Sequence, residues 1–332
     1  MTTRPFAMAA LFAFAIALTG CASQARQAAK VYRVGALFNR GPNLDDIEQL
    51  QKGLVRLGYV EGTDIVIEAR FAEGKLDRLP GFATELVAMG VDVIAAYGGP
   101  PTRAARGATI TIPIVAALVA DPVALGFAAT LARPGGNVTG ATNHDPELAT
   151  RQLRILREVF PSLARVAFLS DADIPGADSS GLVPIERSNV AAARAMGITP
   201  QMLKLRGPEP DFVKAFDAMV AEKAEVLVVL EVPVPFTHRD RIAQLAAERR
   251  IPTMFWGGAS NAGGMMSYGT SFVDNYPHMA EYIDRILKGA KPADMPFAVI
   301  TRREFVVNRK LARELEVIIP DALLKRADRI IE

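Results

Sequence analysis

The chain alternates short, continuous apolar runs with longer segments whose apolar residues recur at helical spacing. Residues 91–96, apolar apart from Asp92, and residues 112–119 are runs of the kind found in parallel strands that are covered on both faces. Residues 44–57 instead place leucine and isoleucine on one helical face, after an N-cap residue, Asn43, and before a terminating glycine, Gly58. The pattern predicts repeated strand–helix units and therefore an α/β fold.

Residues 133–143 divide the alternating strands and helices into two similar halves. The stretch turns on a proline and two glycines and continues as a short β-prone segment. Upstream of it, Asp121 and Pro122 supply the N-cap and N1 signals that predict a helix ending near Arg133. Because loops that follow parallel strands share the carboxyl edge of a sheet, we expect the loops of both halves to face one ligand-binding cleft.

The N-terminus has the layout of an export signal. Arg4 precedes an uncharged apolar run over residues 6–18, and Cys21 follows a threonine and a glycine. The sequence around Cys21 resembles the bacterial lipoprotein signature, so residues 1–21 are predicted to be a lipoprotein signal peptide with its lipobox. Residues 22–30 then form a small polar tether. The alternatives are an uncleaved membrane anchor and an incidental cysteine beside an ordinary cleavage site, and each places the rest of the chain outside the cytoplasm.

Composition and absent motifs narrow the classes of function. The chain has 332 residues, half of them apolar, which is enough for two hydrophobic cores. Its net charge of +2 comes from scattered residues without a basic stripe, so nucleic acid is not an expected partner. The single cysteine excludes an intramolecular disulfide and a thiolate metal cluster. Nucleotide-binding glycine motifs, a nucleophile elbow and paired metal-ligand histidines are all absent, and we expect no cofactor, no metal and no catalytic residue.

Several motifs, distributed from residue 58 to residue 294, occur in an order that is typical of one protein family. With these motifs the chain resembles the ABC-transporter substrate-binding protein family that includes the tryptophan/tyrosine-type binders. The motifs are Gly58-Tyr59-Val60-Glu61-Gly62, Ile65-Val66-Ile67-Glu68, Phe71-Ala72-Glu73-Gly74, Asp121-Pro122-Val123, Leu131-Ala132-Arg133-Pro134-Gly135-Gly136-Asn137-Val138-Thr139-Gly140, Gly263-Gly264-Met265-Met266-Ser267-Tyr268-Gly269 and Ile286-Leu287-Lys288-Gly289-Ala290-Lys291-Pro292-Ala293-Asp294.

The resemblance implies a type I periplasmic-binding fold, in which two doubly wound, Rossmann-like lobes are joined by three crossing segments and close over a small solute. Lobe 1 is expected to comprise residues 31–142 and about 267–300, and lobe 2 residues 143–266 and about 301–332. The implied protein is a non-catalytic monomer. Its expected partners are a small-molecule solute, an ABC permease with its separate ATPase, and the membrane through a lipid on Cys21. An aromatic or branched amino acid is the expected class of solute.

The ligand-binding residues of the family map onto the loops that follow the strands and onto the first crossing. Two of these loops depart from the family pattern: Gly98-Gly99-Pro100 lacks the usual hydroxyl, and residues 170–175 differ from the usual Asn-Pro loop. The candidate ligand-binding residues are Asn39, Tyr97, Gly98, Gly99, Pro100, Pro101, Thr102, Asp121, Asn143, Asp173, Pro233 and Trp256.

Each of these residues also has a purely structural interpretation. Gly98 and Gly99 suit a tight strand–helix turn, Asp121 suits an N-cap, and Trp256 suits core packing. For the whole protein, the alternatives to transport are a ligand-sensing module for a membrane receptor and an exported two-lobed enzyme.

Overall fold

Two β-sheets organise the part of the chain that the computed structural model describes, namely residues 30–42, 44–143, 145–174, 176–207, 209–257, 263–270 and 275–332. Residues 31–332 form one compact unit. The predicted signal peptide, Cys21 and the tether up to residue 29 lie outside the described residues. Within the described ranges, none of the helices has the length and apolar character needed to cross a membrane.

The strands and helices alternate along most of the chain, as the apolar pattern predicts. The strands are β1 (Tyr32–Phe38), β2 (Ile65–Phe71), β3 (Val93–Tyr97), β4 (Ile114–Val119), β5 (Val138–Thr142), β6 (Arg165–Asp171), β7 (Thr199–Leu205), β8 (Val226–Val229), β9 (Thr253–Phe255), β10 (Met266–Thr270), β11 (Ala298–Val299), β12 (Arg303–Asn308) and β13 (Arg329–Ile331). The helices are α1 (Leu44–Arg56), α2 (Leu79–Ala88), α3 (Gly99–Ala108), α4 (Leu148–Val159), α5 (Pro184–Ala195), α6 (Phe212–Ala221), α7 (Pro233–Thr237), α8 (Arg239–Glu248), α9 (Asn275–Leu287), α10 (Arg309–Glu314) and α11 (Asp321–Leu324).

The first sheet has the strand order β11-β5-β4-β3-β1-β2, and the second has the order β13-β12-β10-β9-β8-β6-β7. All pairings between these strands are parallel except that of β10 with β12. Successive side chains of a strand point to opposite faces, so Val34 and Ala36 pack with α1 and α9 on one face of the first sheet, whereas Leu37 packs with α2 and α3 on the other. The second sheet is likewise covered on both faces. The prediction of two doubly wound lobes is confirmed.

The chain passes between the sheets three times. It crosses after β5, between β10 and α9, and between β11 and β12. Strand β10 belongs to the second sheet because it pairs with β9 and β12, so lobe 2 extends to Thr270, a few residues beyond the boundary expected at about residue 267. The first and third crossings are tied together by Arg303, whose Nε donates to Asp145 Oδ2 at 2.9 Å and whose Nη1 donates to the Ile300 carbonyl at 2.6 Å.

The predicted helix between Asp121 and Arg133 is wrong, since this described segment consists of turns. Asp121 does act as a cap, because its Oδ1 accepts hydrogen bonds from the backbone N–H groups of Val123 and Ala124 at 3.1 and 2.9 Å. Gly126 then adopts a φ of 71°, which reverses the chain before a second helical turn forms.

Candidate ligand-binding site

A cavity of about 150 Å³ lies between the lobes, at the carboxyl edges of the two sheets. This volume is roughly ten times what a single water molecule needs, so the cavity is large enough for a small solute. Seven of the residues predicted from the sequence line it. They are Asn39, Tyr97, Gly98, Gly99, Pro100, Asp121 and Pro233.

The turn between β3 and α3 forms the lobe 1 wall. Gly98 has a φ of 104°, in the region that favours glycine, and its N–H donates to the Ala117 carbonyl at 2.8 Å. Gly99 and Pro100 then begin α3 at the cavity surface. Thr102 is fully buried and its Oγ1 donates to the Gly98 carbonyl at 2.8 Å. Gly98 therefore closes a tight turn and also lines the cavity. Thr102 does not line the cavity but stabilises the turn through its hydrogen bond to Gly98.

Two aromatic stacks, one in each lobe, support the cavity walls. In lobe 1 the ring of Tyr97 stacks on Phe38 with centroids 4.2 Å apart. In lobe 2 the ring of Phe236 lines the cavity and stacks on Trp256, with centroids 5.4 Å apart and planes 19° apart. Trp256 is 2% exposed and does not line the cavity, so it positions Phe236 from the core. Stacked aromatic pairs of this kind add to the stability of the packed wall.

Arg40 connects the two lobes across the cavity. It follows β1 in lobe 1, and its guanidinium carbon lies 5.0 Å from the centroid of the Phe236 ring in α7 of lobe 2. Arg239, from lobe 2 itself, lies 5.5 Å from the same ring. A guanidinium over an aromatic face is attracted by the ring quadrupole. The Arg40–Phe236 contact therefore favours an arrangement in which the lobes are close together.

Glu231 places a carboxylate on the lobe 2 side of the cavity, two residues after the end of β8. Asn143, in the first crossing, donates from its Nδ2 to both carboxylate oxygens, at 3.1 and 3.2 Å. Burial raises the pKa of Glu231 to about 8, and the hydrogen bond from Asn143 opposes this shift. Asn143, which the sequence predicted as a ligand contact, thus lies beside the cavity and positions Glu231 through these two hydrogen bonds.

The carboxylates predicted at the other loops have different roles. Asp121 lines the cavity and caps the turn that follows β4. Asp173, after β6, instead forms an ion pair with Arg206 and is absent from the cavity lining. The neighbouring Asp171 is buried, and its Oδ2 accepts a hydrogen bond from the Val234 N–H at 3.0 Å, which fixes the start of α7. Burial raises the pKa of Asp171.

Of the twelve candidate residues, Pro101, Thr102, Asn143, Asp173 and Trp256 do not line the cavity. The sequence interpretation missed a larger group that does. Arg40 and Glu231 follow predicted strands by one or two residues, so their positions were a usable signal. Leu118 has a φ of 55° where the pairing of β4 with β5 shifts register, a feature that the sequence does not reveal. The missed lining residues are Arg40, Arg103, Leu118, Leu125, Val183, Pro184, Ile185, Glu231, Val232 and Phe236, whereas Ala120 and Ile174 lie in the segments 119–121 and 171–177 that the family resemblance assigns to the ligand.

No cluster of three or more His, Cys, Asp or Glu side chains suited to a metal ion occurs in the part of the chain that the structure describes. The cavity combines an apolar, aromatic wall with Arg40, Arg103 and Asp121 from lobe 1 and Glu231 from lobe 2. Such an arrangement suits a small solute that has an apolar body and polar groups at one end.

Comparisons with known proteins connect this geometry to one family. A sequence model of the family described as ABC transporter substrate binding protein matches residues 36–331. The tyrosine-binding protein of Clostridioides difficile (strain R20291) is 22% identical over 280 residues, which cover 83% of this chain and 78% of that protein. That protein is named for its ligand, tyrosine.

Two solved structures are similar in both sequence and fold. One is the ABC domain in complex with L-Trp from Streptococcus pneumoniae, which is 26% identical with a TM-score of 0.80. The other is a conserved domain protein from Vibrio cholerae, which is 25% identical with a TM-score of 0.81. Each match covers 91% of this chain and 100% of the other.

Proposed function

This chain belongs to the ABC transporter substrate-binding protein family, and we propose that it captures an aromatic amino acid and delivers it to a membrane permease. Proteins of this family bind small molecules outside the cytoplasm for ABC permeases, and the family and its structural neighbours are binding proteins. The observation that carries the proposal is the cavity between the lobes, where aromatic and apolar residues surround a small number of charged groups. The tyrosine and L-Trp in the names of two relatives support the same class of solute.

Closure of the lobes is the proposed mechanism of capture. The walls come from both lobes, so a solute contacts both only when the lobes are close together. The Arg40–Phe236 contact supports such a closed arrangement. A solute that binds this arrangement better than an open one shifts the population toward it, and the permease can then distinguish loaded from empty protein.

We also propose that a lipid on Cys21 holds the protein at a membrane. The support is the order of charged residue, apolar run and Thr19-Gly20-Cys21 at the N-terminus. Mass spectrometry of the membrane-extracted protein would find a chain that begins at a lipidated Cys21. A soluble chain cleaved at another residue would contradict the proposal.

Isothermal titration of the purified protein with L-Trp, L-Tyr, L-Phe, L-Leu, a pentose and a nucleoside tests the proposed solute class. We expect the aromatic amino acids to have the lowest dissociation constants. In thermal unfolding they should also raise the melting temperature, because saturation at about 1,000 times the dissociation constant stabilises the folded state by roughly 4 kcal/mol. We also expect the bound amino acid to be recovered unchanged. Binding of the pentose or the nucleoside, without binding of any amino acid, would overturn the proposal.

A further inference from the structure

Glu231 is a carboxylate in the cavity that lacks a cationic partner among the described residues. Its hydrogen bonds there come from the amide nitrogen of Asn143 alone. Charged groups that are withdrawn from water are normally paired with an opposite charge or neutralised. The protein thus holds an acidic group at the position where its solute binds.

The residue beside Glu231 has a related unsatisfied atom. Asn143 is 8% exposed, and its Oδ1 is buried without a hydrogen-bond donor from the described residues. A buried carbonyl oxygen that lacks a donor costs free energy that a ligand donor can recover. Glu231 and Asn143 together therefore present acceptor oxygens and no positive charge.

We propose that Glu231, supported by Asn143, is the subsite for a protonated primary amine on the solute. This inference rests on the proposed function, and it names the group of the solute that lobe 2 recognises. A primary ammonium has three N–H donors and one positive charge, which match the acceptor oxygens and the missing counter-cation. Asp173, another lobe 2 carboxylate and a candidate ligand contact from the sequence, is already neutralised by Arg206 outside the cavity.

The remaining lining residues are compatible with this assignment. The wall next to α5 is apolar, being formed by Val183, Pro184 and Ile185. The other titratable or charged side chains of the lining are Tyr97 on β3, Arg40 after β1, Arg103 on α3 and Asp121 after β4. None of these forms an ion pair with Glu231. Arg40 and Arg103 provide positive charge on lobe 1 for the carboxylate of the same solute.

Binding at this subsite releases a proton. Because burial raises the pKa of Glu231 to about 8, the empty site holds a protonated carboxyl at pH 7. The incoming ammonium keeps its own protons and displaces the Glu231 proton to solvent, which leaves an ammonium–carboxylate pair. The dissociation constant is therefore expected to fall by up to about tenfold per unit as the pH rises from 6 toward 8.

The test compares three probes that differ in their polar groups: L-phenylalanine, 2-phenylethylamine and 3-phenylpropionate. Titration calorimetry gives the dissociation constants for the native protein and for Glu231→Gln, which keeps the shape of the side chain and removes its charge. We expect Glu231→Gln to weaken L-phenylalanine and 2-phenylethylamine by about 30-fold or more, and to change 3-phenylpropionate by less than about threefold. The matched control, Glu248→Gln, removes an exposed carboxylate on α8 and should leave all three constants unchanged.

A second measurement requires no variant. Titrations of the native protein at pH 7 in buffers of different ionisation enthalpy should show about one proton released with L-phenylalanine and none with 3-phenylpropionate. If L-phenylalanine binds without proton release and Glu231→Gln binds it normally, the subsite assignment is overturned while the proposed function stands. If the native protein binds no aromatic amino acid, the proposed function fails and the assignment fails with it.

Discussion

Glu231 changes its protonation state between the unfolded and the folded chain. Its ordinary pKa is 4.5, and burial raises the folded value to about 8. Between these values the folded chain holds a proton that the unfolded chain has lost, so the free energy of unfolding falls as the pH rises. We predict that, from pH 5 to pH 8, the empty native protein loses roughly 2–4 kcal/mol more stability than Glu231→Gln. Urea unfolding at several pH values measures this difference.

The comparison with the variant is needed because burial also raises the pKa of Asp171, which contributes a pH dependence of the same sign. Glu248→Gln should follow the native protein at every pH, since its carboxylate is exposed. Parallel stability curves for the native protein and Glu231→Gln would show that Glu231 stays ionised in the folded state.

At the residue scale, the sequence indicated which loops carry the site but not which side chains face it. Asp173 and Glu231 both follow strands of lobe 2, but only Asp173 was among the residues predicted to contact the ligand. Asp173 is not available to a ligand because Arg206, which lies 33 positions away in the sequence, pairs with it. A pairing over this distance leaves no local pattern in the sequence. Gly98, in contrast, was predictable because a tight strand–helix turn demands its backbone conformation.

At the scale of elements, apolar periodicity predicted most of the strands and helices. The exception is the helix predicted between Asp121 and Arg133, which is a series of turns. Buried parallel strands and amphipathic helices such as α1 have distinct periods. Asp121 and Pro122 are equally suited to a helix start and to a turn. The positive φ of Gly126 decides between them, and the sequence alone does not reveal this conformation.

Helix α7 depends on a tertiary contact because five residues, two of them prolines, have little helical stability of their own. The contact is the hydrogen bond from the Val234 N–H to Asp171. We predict that Asp171→Ala lowers the free energy of unfolding by roughly 1–3 kcal/mol, because it leaves a buried N–H without an acceptor. It should also loosen Phe236 from Trp256, the only tryptophan, and shift the tryptophan emission to longer wavelength.

Asp178→Ala is the control for this element. Asp178 is exposed and pairs with Arg187 at the surface, so its loss should cost less than about 1 kcal/mol and leave the emission unchanged. An Asp171→Ala protein with native tryptophan emission would show that α7 keeps its position without the hydrogen bond.

At the scale of the whole molecule, the balance between open and closed lobes depends on the few contacts that cross the cavity. The Arg40 guanidinium over the Phe236 ring is one of them, and an interaction of this type contributes roughly 0.5–2 kcal/mol. Because about 1.4 kcal/mol changes an equilibrium constant tenfold, its loss is sufficient to change which arrangement dominates in the empty protein. The link between Asp145 and Arg303 lies at the crossings rather than across the cavity.

We therefore predict that Arg40→Gln increases the radius of gyration of the empty protein, measured by small-angle X-ray scattering. The matched control is Arg78→Gln, because the Arg78 guanidinium lies 4.8 Å from the centroid of the Phe82 ring with both residues in lobe 1. Removing that contact leaves the contacts between the lobes unchanged, so the radius of gyration should stay at the native value. Equal radii for the native protein and both variants would mean that the Arg40–Phe236 contact does not hold the lobes together, and that solute binding alone determines closure.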